Sequence, residues 1–173
     1  MSKLKSEIIS WTKTIIIAII CALFLNNFVI VNAKVPTGSM GNTIIPNDRV
    51  VAFRLSYTFS DPDRFHIVVF RNPDQEELLY IKRIIGLPGE SLQIINGNIY
   101  INGELLEDDK QFIKEPFFGY WGPFEIPEGK FFVLGDNRNN SEDSRAWETT
   151  FVPEENVVGR AIFKYFRGFE IFS

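Results

Sequence analysis

The sequence predicts an all-β fold, built mainly from antiparallel sheets, that follows one N-terminal transmembrane helix. Two observations support this prediction. Residues 14–33 contain no charged side chain, and after Lys34 the apolar residues form short runs separated by turn-forming residues. The chain has 173 residues, of which 45% are hydrophobic, so it can form one domain with a sizeable core.

Composition excludes several classes of protein. The formal net charge is −4, whereas a nucleic-acid-binding protein needs a basic face, so we expect no nucleic-acid partner. The chain has one cysteine, Cys21, and one histidine, His66. It therefore lacks the residues for an internal disulfide framework or a zinc site, and we predict no metal and no cofactor.

The uncharged segment 14–33 has the length of a membrane span. At about 1.5 Å per residue a helix of this length covers about 30 Å, the thickness of the hydrocarbon core of a bilayer. Three lysines and one glutamate precede the segment: Lys3, Lys5, Lys13 and Glu7. The positive-inside rule then predicts a single-pass protein of the cell membrane. Its expected parts are a cytoplasmic N-terminus (1–13), a transmembrane helix (14–33) and an extracytoplasmic catalytic domain (34–173).

Two other interpretations of this segment remain. Val31-Asn32-Ala33 has the small-residue pattern of a signal-peptide cleavage site, although the apolar stretch is longer than usual for a cleaved leader. A buried amphipathic helix is the second, but residues 15–20 are apolar on every face, which is not typical of a surface helix.

Seven runs after Lys34 are rich in Val, Ile, Phe or Tyr and are predicted as strands: Arg49–Leu55, Phe65–Arg71, Leu78–Ile85, Ser91–Ile95, Asn98–Ile101, Lys130–Leu134 and Val157–Phe166. Asn96-Gly97 predicts a type I′ hairpin, because both turn positions need a positive φ. Asn102-Gly103 repeats the signal. Residues 104–129 contain several prolines and are predicted as a long surface excursion with exposed aromatic residues at 117–121. With the hairpin they form a smaller inserted region, about 90–129.

Three clusters carry candidate chemistry: residues 36–40, 80–90 and 135–145. Each also has an ordinary structural interpretation, as a turn, a strand with solvent-facing charges and a solvated loop. In the second cluster, strand alternation places Lys82 on the face shared by Tyr80 and Ile84. A lysine in such apolar surroundings favours its neutral amine, which is the form that can act as a base.

Together these clusters resemble the type I signal peptidase family, the membrane-bound serine proteases that remove signal peptides. Pro36-Thr37-Gly38-Ser39-Met40 matches the family's first box and Asn47-Asp48-Arg49-Val50 its second. The segment 82–90 matches the third box and 135–145 the fourth. The chain departs from the family pattern at Thr37, where many members have serine, at Gly41-Asn42, which replaces a stiffer dipeptide, and at Asn47, which replaces a glycine.

The resemblance, with the residue chemistry, implies a Ser-Lys dyad. Ser39 is the expected nucleophile and Lys82 the general base, because His66 lies in a predicted strand with no motif around it. The resemblance implies that Ser141 orients the Lys82 amine and that the Thr37 hydroxyl and the Ser39 N–H stabilise the oxyanion. It also implies an Asp143–Arg145 ion pair that fixes the wall bearing Ser141, supported by Arg83.

The implied substrate pockets accept small side chains at the first and third positions before the cut. The resemblance places five residues near them: Val35, Pro36, Tyr80, Ile81 and Ile84. The expected activity is therefore a serine endopeptidase of the signal peptidase I type, with a signal-peptidase-like β domain. The expected partners are preprotein signal peptides, the lipid bilayer and the secretion translocon.

Three other functions remain open at this stage. One is a catalytically silent, membrane-tethered β module that binds exported peptides, although such a module has no use for Ser39, Lys82 and Ser141 together. Another is a self-cleaving Ser-Lys repressor protease of the SOS response, which would have a DNA-binding or soluble arm in place of the anchor. The third is a secreted β-sandwich whose leader is cleaved.

Overall fold

The N-terminus forms one long helix. The computed structural model describes residues 2–41, 43–58 and 60–172, with side chains from residue 5 onward. The first helix, α1 (Ser2–Phe24), continues into a short π-helix, Leu25–Val29. The segment Lys5–Val29 is long and apolar enough to cross a membrane, and residues 5–28 are all exposed. This exposure contradicts a buried amphipathic helix.

The helical conformation ends four residues earlier than the sequence predicts. Residues 30–33, predicted as the end of the membrane helix, belong instead to strand β1 (Ile30–Lys34). This strand pairs antiparallel with β2 (Arg49–Phe53). Val31 is buried and Asn32 is exposed, the alternation of a half-buried strand. The prediction is wrong here because pairing with β2, a distant segment, determines the backbone conformation.

The remaining strands are β3 (Ile67–Asn72), β4 (Gln75–Gly86), β5 (Ser91–Ile95), β6 (Asn98–Ile101), β7 (Glu104–Leu105), β8 (Tyr120–Glu125), β9 (Lys130–Leu134), β10 (Val152–Pro153), β11 (Val157–Lys164) and β12 (Glu170–Ile171). Short 3-10 helices occur at Arg54–Tyr57, Glu107–Phe112 and Glu154–Asn156. The larger sheet has the order β1-β2-β11-β3-β4-β9-β10, and β12 pairs with β11. All described pairings are antiparallel. The predicted fold class is confirmed, and the seven predicted strands are present with small changes at their ends.

A second sheet, with the order β7-β6-β5-β8, lies within the region that the sequence analysis singled out as an insertion. The turn between β5 and β6 has φ values of 49° at Asn96 and 80° at Gly97, which are the positive values of the predicted type I′ turn. Asn102 and Gly103, with φ values of 52° and 85°, form the next turn.

The segment 104–129 differs from the predicted surface excursion. It contains two strands and the 3-10 helix Glu107–Phe112. Phe118 and Tyr120 are exposed as predicted, but Phe117 is buried. The prediction missed β8 because its strand conformation depends on pairing with β5, which a local pattern containing Pro123 does not reveal.

Apolar side chains from both sheets share one core. Ile85, Phe132 and Leu134 of the larger sheet pack with Leu92 and Ile94 of the smaller one. Each is fully buried, and burial of such a side chain stabilises the fold by roughly 1.5–3 kcal/mol. This core fixes the smaller sheet against β4 and β9, next to the polar loop that follows β9.

Candidate active site

Two side chains from distant parts of the sequence meet at the centre of the site. Ser39 lies in the segment that follows β1, and Lys82 lies in β4. Lys82 Nζ is 2.6 Å from Ser39 Oγ, and the two residues are only 3% and 9% exposed. A neutral amine at this distance can accept the proton of the hydroxyl group.

The surroundings of Lys82 favour its neutral form. Burial lowers the pKa of the Lys82 amine from 10.5 to about 8, and the guanidinium of Arg145 lowers it as well. The carboxylates of Asp143, Glu142 and Asp136 act in the opposite direction. At neutral pH about a tenth of the lysine is therefore uncharged, far more than of an exposed lysine.

Thr37 and Ser141 lie near the two central groups. Thr37 Oγ1 is 3.4 Å from Ser39 Oγ, close to where an oxyanion would form. Ser141 Oγ is buried and, within the part of the chain that the structure describes, has no hydrogen-bond partner. The hydrogen bond to Lys82 that the resemblance implies is thus not formed in this structure, in which Lys82 Nζ contacts Ser39 Oγ.

The polar loop 135–145 forms direct hydrogen bonds with the segment around Ser39. The Asn137 N–H donates to the Ser39 carbonyl at 3.0 Å, and Asn137 Nδ2 donates to the Gly38 carbonyl at 3.1 Å. The Thr43 hydroxyl donates to Asp136 Oδ2 at 2.5 Å. These bonds fix the backbone on both sides of Ser39. Asn42, part of the Gly41-Asn42 departure from the family pattern, lies outside the described residues.

Gly135 allows this close approach. A Cβ placed there would lie 2.2 Å from Ser141 Oγ and 2.4 Å from the Ser39 carbonyl oxygen, far inside van der Waals contact. Gly135 is the first residue of the fourth box, and nothing in the local sequence indicates its role. Its requirement for glycine comes from neighbours that are distant in sequence.

Three buried ion pairs support the loop. Arg83 donates from Nε and NH2 to Asp136 at 2.9 and 2.7 Å, so Arg83 supports Asp136 and not the Asp143–Arg145 pair. Asp143 and Arg145 form their own pair at 2.8 Å.

The third pair joins the loop to the smaller sheet. Arg138 contacts Asp109 in the 3-10 helix with both terminal nitrogens, at 2.7 and 2.5 Å. Neither Asp136 nor Asp109 is among the site residues predicted from the sequence. Asp136 lies in the fourth box, so its position in that motif could have marked it as a site residue. Asp109 lies in an acidic run without a motif, so the sequence offered no indication of its role.

A groove with a cavity volume of about 620 Å³ leads to Ser39 and Lys82. One wall consists of residues 33–40 and the other of residues 78–82, and Asn140 and Glu142 border it as well. Four of the five residues expected near the substrate pockets line it: Val35, Pro36, Tyr80 and Ile81. Ile84 does not, because it is fully buried in the core with Val68 and Phe70.

Both walls of the groove carry free strand edges. β1 is the end strand of the larger sheet. β4 pairs with β9 only from Arg83 onward, so the part of β4 before Arg83 is paired on one side, with β3. An extended peptide in the groove can therefore form main-chain hydrogen bonds with either wall.

His66 takes part in a separate group of contacts. Its Nδ1 lies 3.1 Å from the Tyr57 hydroxyl and 3.1 Å from the Asp63 amide nitrogen. Its ring stacks on Tyr57, and burial lowers the pKa of the imidazole. These contacts support a structural role.

Comparison with known proteins gives consistent matches. A model of the family described as signal peptidase, peptidase S26, matches residues 8–166. Signal peptidase I of Leptolyngbya laminosa is 40% identical over 171 residues, covering 94% of this chain and 82% of that protein. Signal peptidase I S of Bacillus subtilis (strain 168) is 35% identical over 171 residues, covering 94% of this chain and 91% of that protein. A crystal structure of a signal peptidase I from Enterococcus faecalis V583 has 33% identity and a TM-score of 0.48, covering 58% of this chain and 97% of that one.

Proposed function

The chain belongs to the signal peptidase family, peptidase S26, and we propose that it removes signal peptides from exported preproteins by a Ser39–Lys82 dyad. It is a serine endopeptidase of the signal peptidase I type. The observation that carries the proposed dyad is the buried contact of 2.6 Å between Lys82 Nζ and Ser39 Oγ. A binding module gains nothing from a buried lysine held against a serine hydroxyl, whereas a nucleophile needs a base at this distance.

The proposed reaction begins with the neutral Lys82 amine. It accepts the Ser39 proton as Oγ attacks the carbonyl carbon of the scissile bond. The Ser39 N–H and the Thr37 hydroxyl donate to the oxyanion that forms. The C–N bond then breaks and Lys82 transfers the proton to the leaving amine. In the second half, Lys82 removes a proton from water as the water oxygen attacks the acyl carbon. The bond from the acyl carbon to Ser39 Oγ then breaks, and Lys82 returns the proton to Oγ, which restores both residues.

Ser141 has an orienting role in this proposal. Its buried hydroxyl lies in the wall next to the dyad without a hydrogen-bond partner among the described residues. Once Lys82 has taken the proton from Ser39, the ammonium has donors to spare, and the Ser141 hydroxyl can accept one of them. The Asp143–Arg145 pair holds this wall in place.

The groove explains the proposed preference for small side chains. A peptide that pairs with the free strand edges presents alternate side chains to the protein, so the first and third residues before the cut face the same wall. Val35, Pro36, Tyr80 and Ile81 give that wall an apolar surface. Shallow apolar pockets of this kind favour alanine and exclude charged side chains.

The anchor brings enzyme and substrate to the same membrane surface. We propose a cytoplasmic N-terminus (1–13), a membrane-spanning segment that begins at residue 14 and ends with the helical conformation at Val29, and an extracytoplasmic catalytic domain (34–173) with a smaller inserted region. Residues 30–33 of the predicted span pair with β2 and so belong with the sheet of that domain. The signal peptide is also held in the bilayer, so tethering raises the effective concentration of the two reactants. The secretion translocon is a proposed further partner, since it delivers the preprotein to this surface.

The test is cleavage of a preprotein with an Ala-x-Ala site by the full-length chain in detergent. The wild type is compared with Ser39→Ala and Lys82→Ala, and with Lys110→Ala as a matched lysine control. Lys110 is exposed on the 3-10 helix of the inserted region. We expect the wild type and Lys110→Ala to cut after the final alanine and the two dyad variants to lose at least a thousandfold in kcat while keeping the wild-type circular dichroism.

If all four proteins cut equally, the dyad assignment is wrong. If none cuts but all bind the preprotein, the silent binding module becomes the better account. The proposed topology is tested separately by adding protease to intact spheroplasts. Digestion of the catalytic domain supports it, and full protection contradicts it.

A further inference from the structure

The two walls of the groove run in the same direction. In the larger sheet β2, β11 and β3 lie between β1 and β4, and each neighbouring pair is antiparallel. Four antiparallel steps give β1 and β4 the same direction. β1 directly follows the membrane-spanning segment, so both walls run from the membrane end of the groove toward Ser39 and Lys82. A signal peptide held in the same bilayer enters at that end, and the residues before the cut therefore lie along residues 33–36 and 78–81.

Strand alternation divides this part of the groove into two faces. Val35 belongs to a buried cluster of the core, and Ile81 packs against that cluster. We call their side the inner face and the opposite side the outer face. Tyr80, the neighbour of Ile81 in β4, has its ring on the outer face, where it contacts Phe70 and Trp147. The core closes the inner face, so only small side chains of a substrate fit there.

The middle residue of an Ala-x-Ala site must direct its side chain to the outer face. Successive side chains of an extended peptide point to opposite sides. The first and third residues before the cut face Val35 and Ile81, so the second, which we call the middle residue, faces the side of the Tyr80 ring. What lines the outer face therefore decides which middle residues the groove accepts.

The polar loop places Glu142 on the outer face. The Ser144 N–H donates to the Val133 carbonyl at 3.2 Å, and the Val133 N–H donates to Ser144 Oγ at 3.0 Å. Trp147 packs on Tyr80 with ring centroids 5.8 Å apart. Glu142 directly precedes this anchored segment, lines the groove together with Tyr80 and is exposed. Burial raises the pKa of the Tyr80 hydroxyl and the Glu142 carboxylate raises it further, as expected for a charge on the same face.

Strand β1 places a positive charge on the same face. Ala33 and Ile81 pack against one buried cluster, and Val35 is buried as well. Lys34, between Ala33 and Val35, therefore points to the outer face. It is exposed and lines the groove. Neither Lys34 nor Glu142 forms a salt bridge with another described residue, so both charges are available to a bound peptide.

We propose that the middle residue lies between Lys34 and Glu142, and that these two opposite charges set the charge preference of this position. Glu142 favours a basic middle residue and Lys34 an acidic one, whereas a neutral side chain such as glutamine can hydrogen-bond to both. The inference rests on the proposed signal-peptide cleavage and deepens it. It adds a charge-sensitive position to the size preference at the first and third residues.

The experiment uses the full-length chain in detergent and three preproteins that differ only in the middle residue of an Ala-x-Ala site: lysine, glutamine or glutamate. The quantity measured is the ratio of kcat/KM for the lysine substrate to kcat/KM for the glutamate substrate. Because Glu142 also acts on the Lys82 amine, a variant can change the rate with every substrate. The ratio cancels this common effect and reports the preference at the middle position alone.

We expect Glu142→Gln to lower the ratio about fivefold at low salt and Lys34→Gln to raise it about fivefold. Exposed ion pairs typically change an equilibrium by a factor of about two to five, and each variant removes one attraction and one repulsion. Both changes should disappear in 1 M salt, where the Debye length is about 3 Å. Glu104→Gln and Lys110→Gln make the same changes at exposed sites of the inserted region and should keep the wild-type ratio.

A second set of preproteins carries the same three residues at the first position after the cut. The variants should change the ratio much less there, because this position lies beyond Ser39 and Lys82. An unchanged ratio at the middle position in either variant, or an equal change at both positions, overturns the inference. In each of these cases normal cleavage of the glutamine substrate would leave the proposed function intact. Loss of cleavage by the wild type with every substrate would instead show that the proposed function itself is wrong.

Discussion

Replacement of Lys82 by methionine should stabilise the protein at neutral pH while abolishing its activity. The lysine is 3% exposed, and burial lowers its pKa from 10.5 to about 8. The unfolded chain therefore binds a proton more readily than the folded one. Each unit of difference between the two pKa values corresponds to about 1.4 kcal/mol, so the charged lysine costs the fold about 3 kcal/mol at pH 7.

The net gain in Lys82→Met should be about 2 kcal/mol. The variant loses the hydrogen bond to Ser39, which contributes about 0.5–1.5 kcal/mol, and methionine has a similar length and an apolar end that suits the site. The gain in stability should depend on pH. Stability of the wild type should rise between pH 8 and 10.5 as the unfolded state loses its excess proton. Above that range the advantage of the variant should disappear.

The assay is urea unfolding in detergent, followed by the fluorescence of the buried Trp147, at pH 7 and at pH 10.5. Lys110→Met is the control, and as a surface substitution it should change stability by less than about 0.5 kcal/mol. A Lys82→Met variant that is less stable than the wild type at pH 7, or a gain that is the same at both pH values, would refute the reasoning about the buried amine.

Three further predictions concern the same site. The pH dependence of kcat/KM should show a basic group with an apparent pKa of about 8, so that the rate rises about tenfold between pH 7 and pH 9; an inflection above pH 10 would contradict a depressed Lys82 pKa. Gly135→Ala should lower kcat about a hundredfold, because its Cβ would lie 2.4 Å from the Ser39 carbonyl oxygen and must displace the nucleophile segment. Wild-type kcat in a folded Gly135→Ala variant would show that the segment can adjust freely. Asp136→Asn should destabilise the fold by about 3–5 kcal/mol in urea unfolding, because it leaves the Arg83 guanidinium buried without its carboxylate. A change below about 1 kcal/mol would mean that water or another group replaces that partner.

Local patterns predicted the secondary structure well where each strand carries its own signal. Ser91–Ile95, Asn98–Ile101 and Lys130–Leu134 have the predicted bounds, and the Asn96-Gly97 turn has the predicted φ signs. The two-residue strands β7, β10 and β12 were not predicted, and among the longer strands the predictions failed at β1 and β8. The residues of β1 continue an uncharged stretch and those of β8 include a proline, so their strand conformation depends on partners that are distant in sequence.

The sequence by itself indicated which groups are candidates for the chemistry. The order of the four boxes was enough to infer the family. Together with the absence of a second histidine or cysteine, it led to the proposal of Ser39 and Lys82. The uncharged segment 14–33 predicted a membrane anchor. These inferences depend only on residue types and spacing.

The tertiary structure alone decided how those groups act on one another. Burial of Lys82 lowers its pKa, the crowding at Gly135 excludes a Cβ, and Arg83 and Arg138 find Asp136 and Asp109 as partners. It also brought Glu142 to the groove and left Ile84 in the core. Each of these effects depends on distances of a few ångströms between residues that lie far apart in the chain, and such distances are established only when the two sheets pack together.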